Sequence, residues 1–173
     1  MRPASVRIRP FDTADTTAVR ALFRRWGDRS VEQRFFAMSP SLADGYVDAL
    51  GDPDRTLFAV VAGNAAGDIV GVGSTHRLGA DRAEFGLSVD DGVQGRGVGT
   101  RLLAALLHDA DRRNLSALVA YVEPANQQML EVIRDELPDA TRERRDGVVT
   151  VTVPVGTALQ HASAHLREDV VPS

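Results

Sequence analysis

The thirteen residues from Ser88 to Thr100, Ser-Val-Asp-Asp-Gly-Val-Gln-Gly-Arg-Gly-Val-Gly-Thr, have the types and spacing of a phosphate cradle. An apolar, β-prone run from Ala83 to Val89 leads into them, and a strongly apolar helical pattern from Val98 to about Arg113 leads out. Glycines let the backbone approach a ligand closely and turn through positive φ. The first N–H groups of a helix have no intrahelical acceptor, and the helix dipole favours negative charge beside them. Two familiar phosphate loops are excluded by composition and spacing. A P-loop needs a lysine after its last glycine, and this chain has no lysine: all 20 Lys+Arg residues are arginine. A dinucleotide fingerprint needs a glycine three residues after its second, where Gly95 and Gly97 are followed by Thr100. Just upstream, Glu84 is the one ionisable residue of the Ala83–Val89 run.

What remains is Gln94-x-x-Gly97-x-Gly99, which resembles the acyl-CoA pyrophosphate loop of the GNAT superfamily of N-acetyltransferases. The likeness runs from about residue 6 to 153. It includes the strand Ala83-Glu84-Phe85-Gly86-Leu87-Ser88-Val89, the later strand Ala117 to Val122, and Pro124-Ala125-Asn126-Gln127-Gln128-Met129-Leu130. The runs Ile8-Arg9-Pro10-Phe11-Asp12, Gln33-Arg34-Phe35-Phe36 and Arg145-Asp146-Gly147-Val148-Val149 are similar to the bacterial protein-lysine acetyltransferase branch. The resemblance implies an α/β (α+β) fold. Its central sheet is mixed and mostly antiparallel, has about six or seven strands splayed between the fourth and fifth, and is flanked by about four helices. It also implies acetyl-CoA as co-substrate and an amine as acceptor, with a protein lysine favoured over a small amine and over a non-catalytic acyl-CoA sensor.

Amide formation from a thioester needs three things, and the resemblance assigns residues to each. The pyrophosphate would be held by Gln94, Gly95, Arg96, Gly97, Val98, Gly99 and Thr100. The strand backbone at Gly86, Leu87, Ser88 and Val89 would bind the pantetheine arm, with Ala125 and Asn126 on the other side and an N–H near Leu87 facing the thioester carbonyl. An amine arrives protonated and must lose a proton before it reacts. Glu84 stands where the lysine-acetylating branch carries its general base, with a surface glutamate on an edge strand or one side of the sheet as the alternative. A departing thiolate is protonated in many members by a tyrosine whose position falls here near Ile133, so water, Ser88 or Tyr121 are left as candidates. Residues 28 to 55 shape the acceptor side in this family.

Other residues carry weaker signals. His76 falls on a strand near Glu84, where a partly buried structural role competes with substrate binding. His161 and His165 have i,i+4 spacing but no further ligand in register, so no metal site is expected. Arg142, Arg144 and Arg145 read as a solvated strand face, with contact to the CoA 3′-phosphate as the alternative. Asp44, Asp48, Asp52 and Asp54 rim either a cleft for a cationic acceptor or a solvated helix end.

These residues need a scaffold, and the periodicities supply one. Strands are expected over Val6–Arg9, Thr56–Ala62, Ile69–Leu78, Ala83–Val89 and Ala117–Val122, with a hairpin of Thr141–Arg145 and Val148–Val153 across Asp146-Gly147. A helix capped by Asp12 or Asp15 presents Val19, Leu22, Phe23 and Trp26 on one stripe and ends at Gly27. A second helical region covers about Ser30 to Leu50, broken near Pro40. The helix after the glycines aligns Val98, Leu102, Leu103, Leu106 and Leu107, ending at Asn114; the next helix begins near Asn126 by the resemblance, Pro124 can sit in its first turn, and Pro138 stops it. Residues 1–155 are expected to form one domain and 156–173 a short amphipathic segment or loose tail. The net charge of −4 argues against nucleic-acid binding. Zero cysteines exclude disulfides and a cysteine nucleophile. No apolar run is long enough to span a bilayer and no secretion signal is evident, so a cytoplasmic location is expected.

Overall fold

A computed structural model of the chain describes residues 5–25 and 45–161. Seven strands form one sheet in the order β1-β2-β3-β4-β5-β7-β6. They are β1 (Arg7–Pro10), β2 (Thr56–Gly63), β3 (Ile69–Arg77), β4 (Arg82–Val89), β5 (Ala117–Val122), β6 (Thr141–Arg145) and β7 (Val148–Pro154). Every neighbouring pair is antiparallel except β4 and β5. The described helices are α1 (Thr16–Arg24), α2 (Tyr46–Ala49), α3 (Val98–Arg112), α4 (Gln127–Glu136) and α5 (Val155–His161). A parallel pair needs a crossover, and the glycine loop with α3 provides it between β4 and β5. This is the mixed, helix-flanked sheet that the resemblance implies.

The sheet has two apolar faces, as period-2 alternation with helices on both sides requires. Ala83, Phe85 and Leu87 of β4 pack with Val98, Leu102, Leu103, Leu106 and Leu107 of α3, all buried as the stripe predicts. Gly71 and Gly73 let α3 settle onto β3: a Cβ on Gly71 would lie 3.1 Å from Leu102, and one on Gly73 3.0 Å from Leu87. The opposite face is covered by Val19 and Leu22 of α1 and Tyr46 of α2, packed on Ala59, Val61 and Val72.

Local chemistry sets the element ends. A 3-10 turn (Thr13–Asp15) precedes α1; Asp12 accepts the Ala14 N–H at 2.8 Å, and Asp15 accepts the Asp12 N–H at 2.9 Å. Asp15 also takes two bonds of 2.7 Å from the Arg9 guanidinium. Asn114 adopts φ 56° after α3, and the β6–β7 hairpin turns through Asp146 and Gly147 at φ 49° and 79°, the left-handed pair an Asp-Gly turn demands. Pro124 does not open α4: the helix begins at Gln127, and Asn126 caps it by accepting the Met129 N–H at 3.2 Å. A side-chain cap satisfies an orphan donor, whereas proline merely tolerates the first turn. The amphipathic segment expected after Gly156 is helical as far as His161, with Val155 and Ala158 buried in the α3-side core. Trp26, Gly27, the Gln33–Phe36 run, Pro40, Asp44 and His165 lie outside the described residues.

Candidate active site

β4 and β5 part company at one residue. β5 pairs with Arg82, Ala83 and Glu84 only, through Ala117, Leu118 and Val119. β3, by contrast, pairs with β4 as far as Val89. From Phe85 to Val89, therefore, one edge of β4 carries no strand among the described residues. Such an edge presents a row of backbone donors and acceptors to whatever enters the wedge.

The glycine loop closes the wide end of this wedge. Asp90 starts a 3-10 turn (Asp91–Val93), accepting the Gly92 N–H at 2.9 Å on one oxygen and the Arg25 Nε–H at 3.1 Å on the other. Arg25, at the end of α1, also donates to the Ile69 carbonyl at 2.8 Å, which ties the loop to the far face of the sheet. Gln94 spends its side-chain amide on the Val89 carbonyl at 3.1 Å. Gly95 and Gly97 then turn through φ 71° and 78°, with nothing within 4 Å of where a Cβ would stand. The first intrahelical bond of α3 runs from the Arg101 N–H to the Gly97 carbonyl. The N–H groups of Val98, Gly99 and Thr100 thus precede any intrahelical acceptor, and no side chain caps this helix.

A cleft of about 660 Å³ opens between this loop and α4. Leu87, Ser88, Val89, Gln94, Gly95, Gly97, Val98, Gly99, Thr100, Ala125 and Asn126 all line it, so the structure brings together both halves of the expected cofactor set. Gly86 lies inside β4 opposite Ser74, and Arg96 is exposed on the loop; neither lines the cleft. Sequence reasoning missed Asp91, Val93, Gln127, Gln128, Met129, Glu131, Val132, Asp135 and Glu136, which complete the wall. The signal for the α4 group was present, since 128, 131, 132, 135 and 136 fall on one helical stripe. The lining contains four carboxylates and no arginine, so an anionic ligand here relies on backbone N–H groups.

Glu84 is buried, 6% exposed, at the apex where β4 and β5 separate. Side chains alternate along a strand, so it shares the α1/α2 face with Gly86 and Ser88, opposite to Ala83, Phe85 and Leu87. His76 of β3 is its direct cross-strand partner. His76 is itself buried, and that burial pushes its proton affinity below the ordinary histidine value, with the Arg55 carbonyl pulling the other way. Ser88 Oγ is buried without a hydrogen-bond partner. Ile133 sits in the α3-side core and offers no proton. Asp48 pairs with Arg20, and Asp52 accepts the Asp54 N–H at 2.9 Å, so these carboxylates are engaged locally. Arg142, Arg144 and Arg145 lie along the exposed strand β6. Among the described residues no three His, Asp or Glu side chains converge as a metal site would require, and no helix is long and apolar enough to cross a membrane.

Residues 16–135 match the model of the acetyltransferase (GNAT) family. The chain belongs to that family. GNAT enzymes carry out acyl transfer that depends on acetyl-CoA, and this chain is an acetyltransferase of that kind. The chain is similar to the GNAT domain of S. lividans PAT, with 29% identity, a TM-score of 0.72, and coverage of 86% of this chain and 90% of that one. The GNAT fold is also shared with yncA of Salmonella typhimurium, a putative acetyltransferase solved with acetyl-CoA (18% identity, TM-score 0.64, 88% and 95% covered). Another is spermidine N-acetyltransferase of Vibrio cholerae, solved with CoA and spermine (16% identity, TM-score 0.66, 89% and 98% covered). The cleft fits the co-substrate of this GNAT chain on its own terms: open space over two left-handed glycines, an uncapped helix start and a β4 edge that β5 leaves after Glu84 meet in it.

Proposed function

We propose that this GNAT enzyme acetylates the ε-amino group of protein lysines, with Glu84 as the general base. When bound, acetyl-CoA supplies an acyl thioester, a group already activated toward an amine. The N–H groups of Gly97, Val98, Gly99 and Thr100 would hold its diphosphate, and the β4 backbone from Gly86 to Val89 would orient the pantetheine. The Asn126 end of α4 forms the other wall. The observation that carries the reading is the place of Glu84, the last residue of β4 to pair with β5. Residue 84 therefore marks the closed end of the wedge, where the pairing of β4 with β5 stops.

An alkylammonium cannot react until it loses its proton, and a Glu84 oxygen takes that proton from the acceptor nitrogen. A buried base can be reached only by an amine on a slender stem. Lysine carries its ammonium on a flexible four-carbon arm and meets that demand. The resemblance of the sequence runs to the lysine-acetylating branch supports this choice over a small amine.

The test is CoA release and mass spectrometry with a lysine-bearing protein set beside spermidine and free amino acids. Because the chain itself has no lysine, every ε-acetyl-lysine found belongs to the added protein. Glu84→Gln is expected to lower kcat at neutral pH by roughly 10²–10⁴-fold while acetyl-CoA binding is kept, and the deficit shrinks at high pH where the amine is already neutral. Turnover of spermidine without any lysine product would replace the acceptor. Binding of acetyl-CoA with no turnover of any amine would make the chain a sensor.

A further inference from the structure

Behind Glu84 lies a hydrogen-bonded chain that the proposed reaction does not use. Tyr46 Oη lies 2.8 Å from Ser74 Oγ, and Ser74 Oγ lies 2.8 Å from His76 Nε2. His76 Nδ1 is 3.1 Å from the Arg55 carbonyl and 3.3 Å from Thr56 Oγ1. Thr56 Oγ1 donates its own proton to the Ala49 carbonyl at 2.6 Å. Tyr46, Ser74, Thr56 and His76 are all buried, and the Tyr46 and His76 rings lie 5.9 Å apart.

The proton positions follow from this geometry. A carbonyl only accepts, so Nδ1 carries hydrogen and shares it between the Arg55 carbonyl and the occupied Thr56 hydroxyl. Nε2 of a neutral ring is then an acceptor. Ser74 donates to it, and Tyr46 donates to Ser74. Among the described residues, the groups facing His76 are Glu84 from β4, Tyr46 from α2, Ser74 on its own strand, and Thr56 and Arg55 at the start of β2. A positive charge on the ring would be buried and opposed by the charge of Arg55. Directly opposed residues of antiparallel strands hold their Cβ atoms about 4.5–5.5 Å apart, so a charge on His76 would act on Glu84 at close range.

We propose that Tyr46, Ser74 and His76 form a positioning chain that holds His76 as the neutral Nδ1–H tautomer and so keeps a cation from forming beside the Glu84 carboxylate. A neighbouring imidazolium would stabilise the carboxylate and weaken it as a base. The chain instead gives Glu84 a polar, uncharged and rigidly oriented neighbour. The inference rests on Glu84 as the base.

The first measurement is the ¹⁵N spectrum of His76 in the full chain with acetyl-CoA bound. A neutral ring protonated on Nδ1 is expected at pH 7; an imidazolium or the Nε2–H tautomer would overturn the proposal. The second is kinetic. His76→Ala is expected to lower kcat about tenfold with KM for acetyl-CoA held within twofold, less than the roughly 10²-fold cost of deleting a proton-transfer group. His76→Gln, whose amide can donate to Arg55 and accept from Ser74, is expected to restore kcat to within about threefold and to keep the acid limb of the rate profile. If Gln fails to rescue and that limb vanishes, His76 itself exchanges the proton and the proposal falls. Glu84→Gln run in parallel separates the two ideas: full activity there defeats the base assignment, whereas an inactive Glu84→Gln beside a failed His76→Gln rescue defeats only the positioning chain.

Discussion

Replacing Gly97 and Gly99 with alanine, one at a time, should split the two roles of the glycine loop. Gly97 sits at φ 78°, with open space where a Cβ would stand. Alanine meets no neighbour there, but it must adopt the left-handed conformation, which costs an L-residue roughly 1–2 kcal/mol. In a domain of 150–250 residues each kcal/mol moves Tm by about 2–4 °C, so the ligand-free variant should melt about 2–8 °C lower. Gly97 also lines the cleft, so an added methyl group there is expected to keep a diphosphate from the following N–H groups. A hydrogen bond to a charged group contributes about 1.5–3 kcal/mol, so Kd for acetyl-CoA should rise about 10- to 100-fold. Gly99 lies in the first turn of α3, and a Cβ there would rest 3.8 Å from Val89, an ordinary contact that leaves the Gly99 N–H in place. Alanine in a helix gains up to about 1 kcal/mol over glycine, so Gly99→Ala should melt up to about 4 °C higher and keep its affinity. Differential scanning fluorimetry without ligand, followed by calorimetric titration with acetyl-CoA, reads both quantities. Equal affinities for Gly97→Ala and the parent chain would refute the backbone cradle.

Gly73→Ala should destabilise by about 1–3 kcal/mol in urea denaturation, because its Cβ falls 3.0 Å from Leu87 and 3.4 Å from Leu106 under α3. Asp15→Asn should cost about 1 kcal/mol at neutral pH, through the capping turn and the screened Arg9 pair. Arg9 holds the Asp15 carboxyl below its ordinary 3.8, so that stability is present above pH 3.8 and is lost as pH falls through the folded value; the variant's acid-denaturation curve should lack this component. Burial lowers the proton affinity of His76 from 6.5, so the unfolded chain takes up that proton first. Stability should be complete above pH 6.5 and decline as pH falls through the folded value, and His76→Gln should flatten that slope in pH-resolved melts.

The sequence by itself determined the parts whose physics is local. The α3 stripe, the Asp146-Gly147 hairpin and the strand cores followed from periodicity and turn chemistry. The glycine loop was legible because its spacing excludes the other phosphate loops, and Glu84 stood out as a charge within an apolar run. Where local rules competed, the stronger bond decided: Asn126 capped α4 and left Pro124 outside it. Tertiary structure alone decided what depends on long-range pairing. That β5 abandons β4 at Glu84 is a fact of register, invisible in either strand's composition, and it sets this glutamate at the point where the two strands part. The Tyr46–Ser74–His76 chain joins residues up to 30 positions apart, and its proton order is fixed by the Arg55 and Ala49 carbonyls, main-chain groups that every residue possesses and no sequence pattern marks. The α4 wall was likewise written as a stripe at 128, 131, 132, 135 and 136, but only the packed fold shows that this stripe faces the loop.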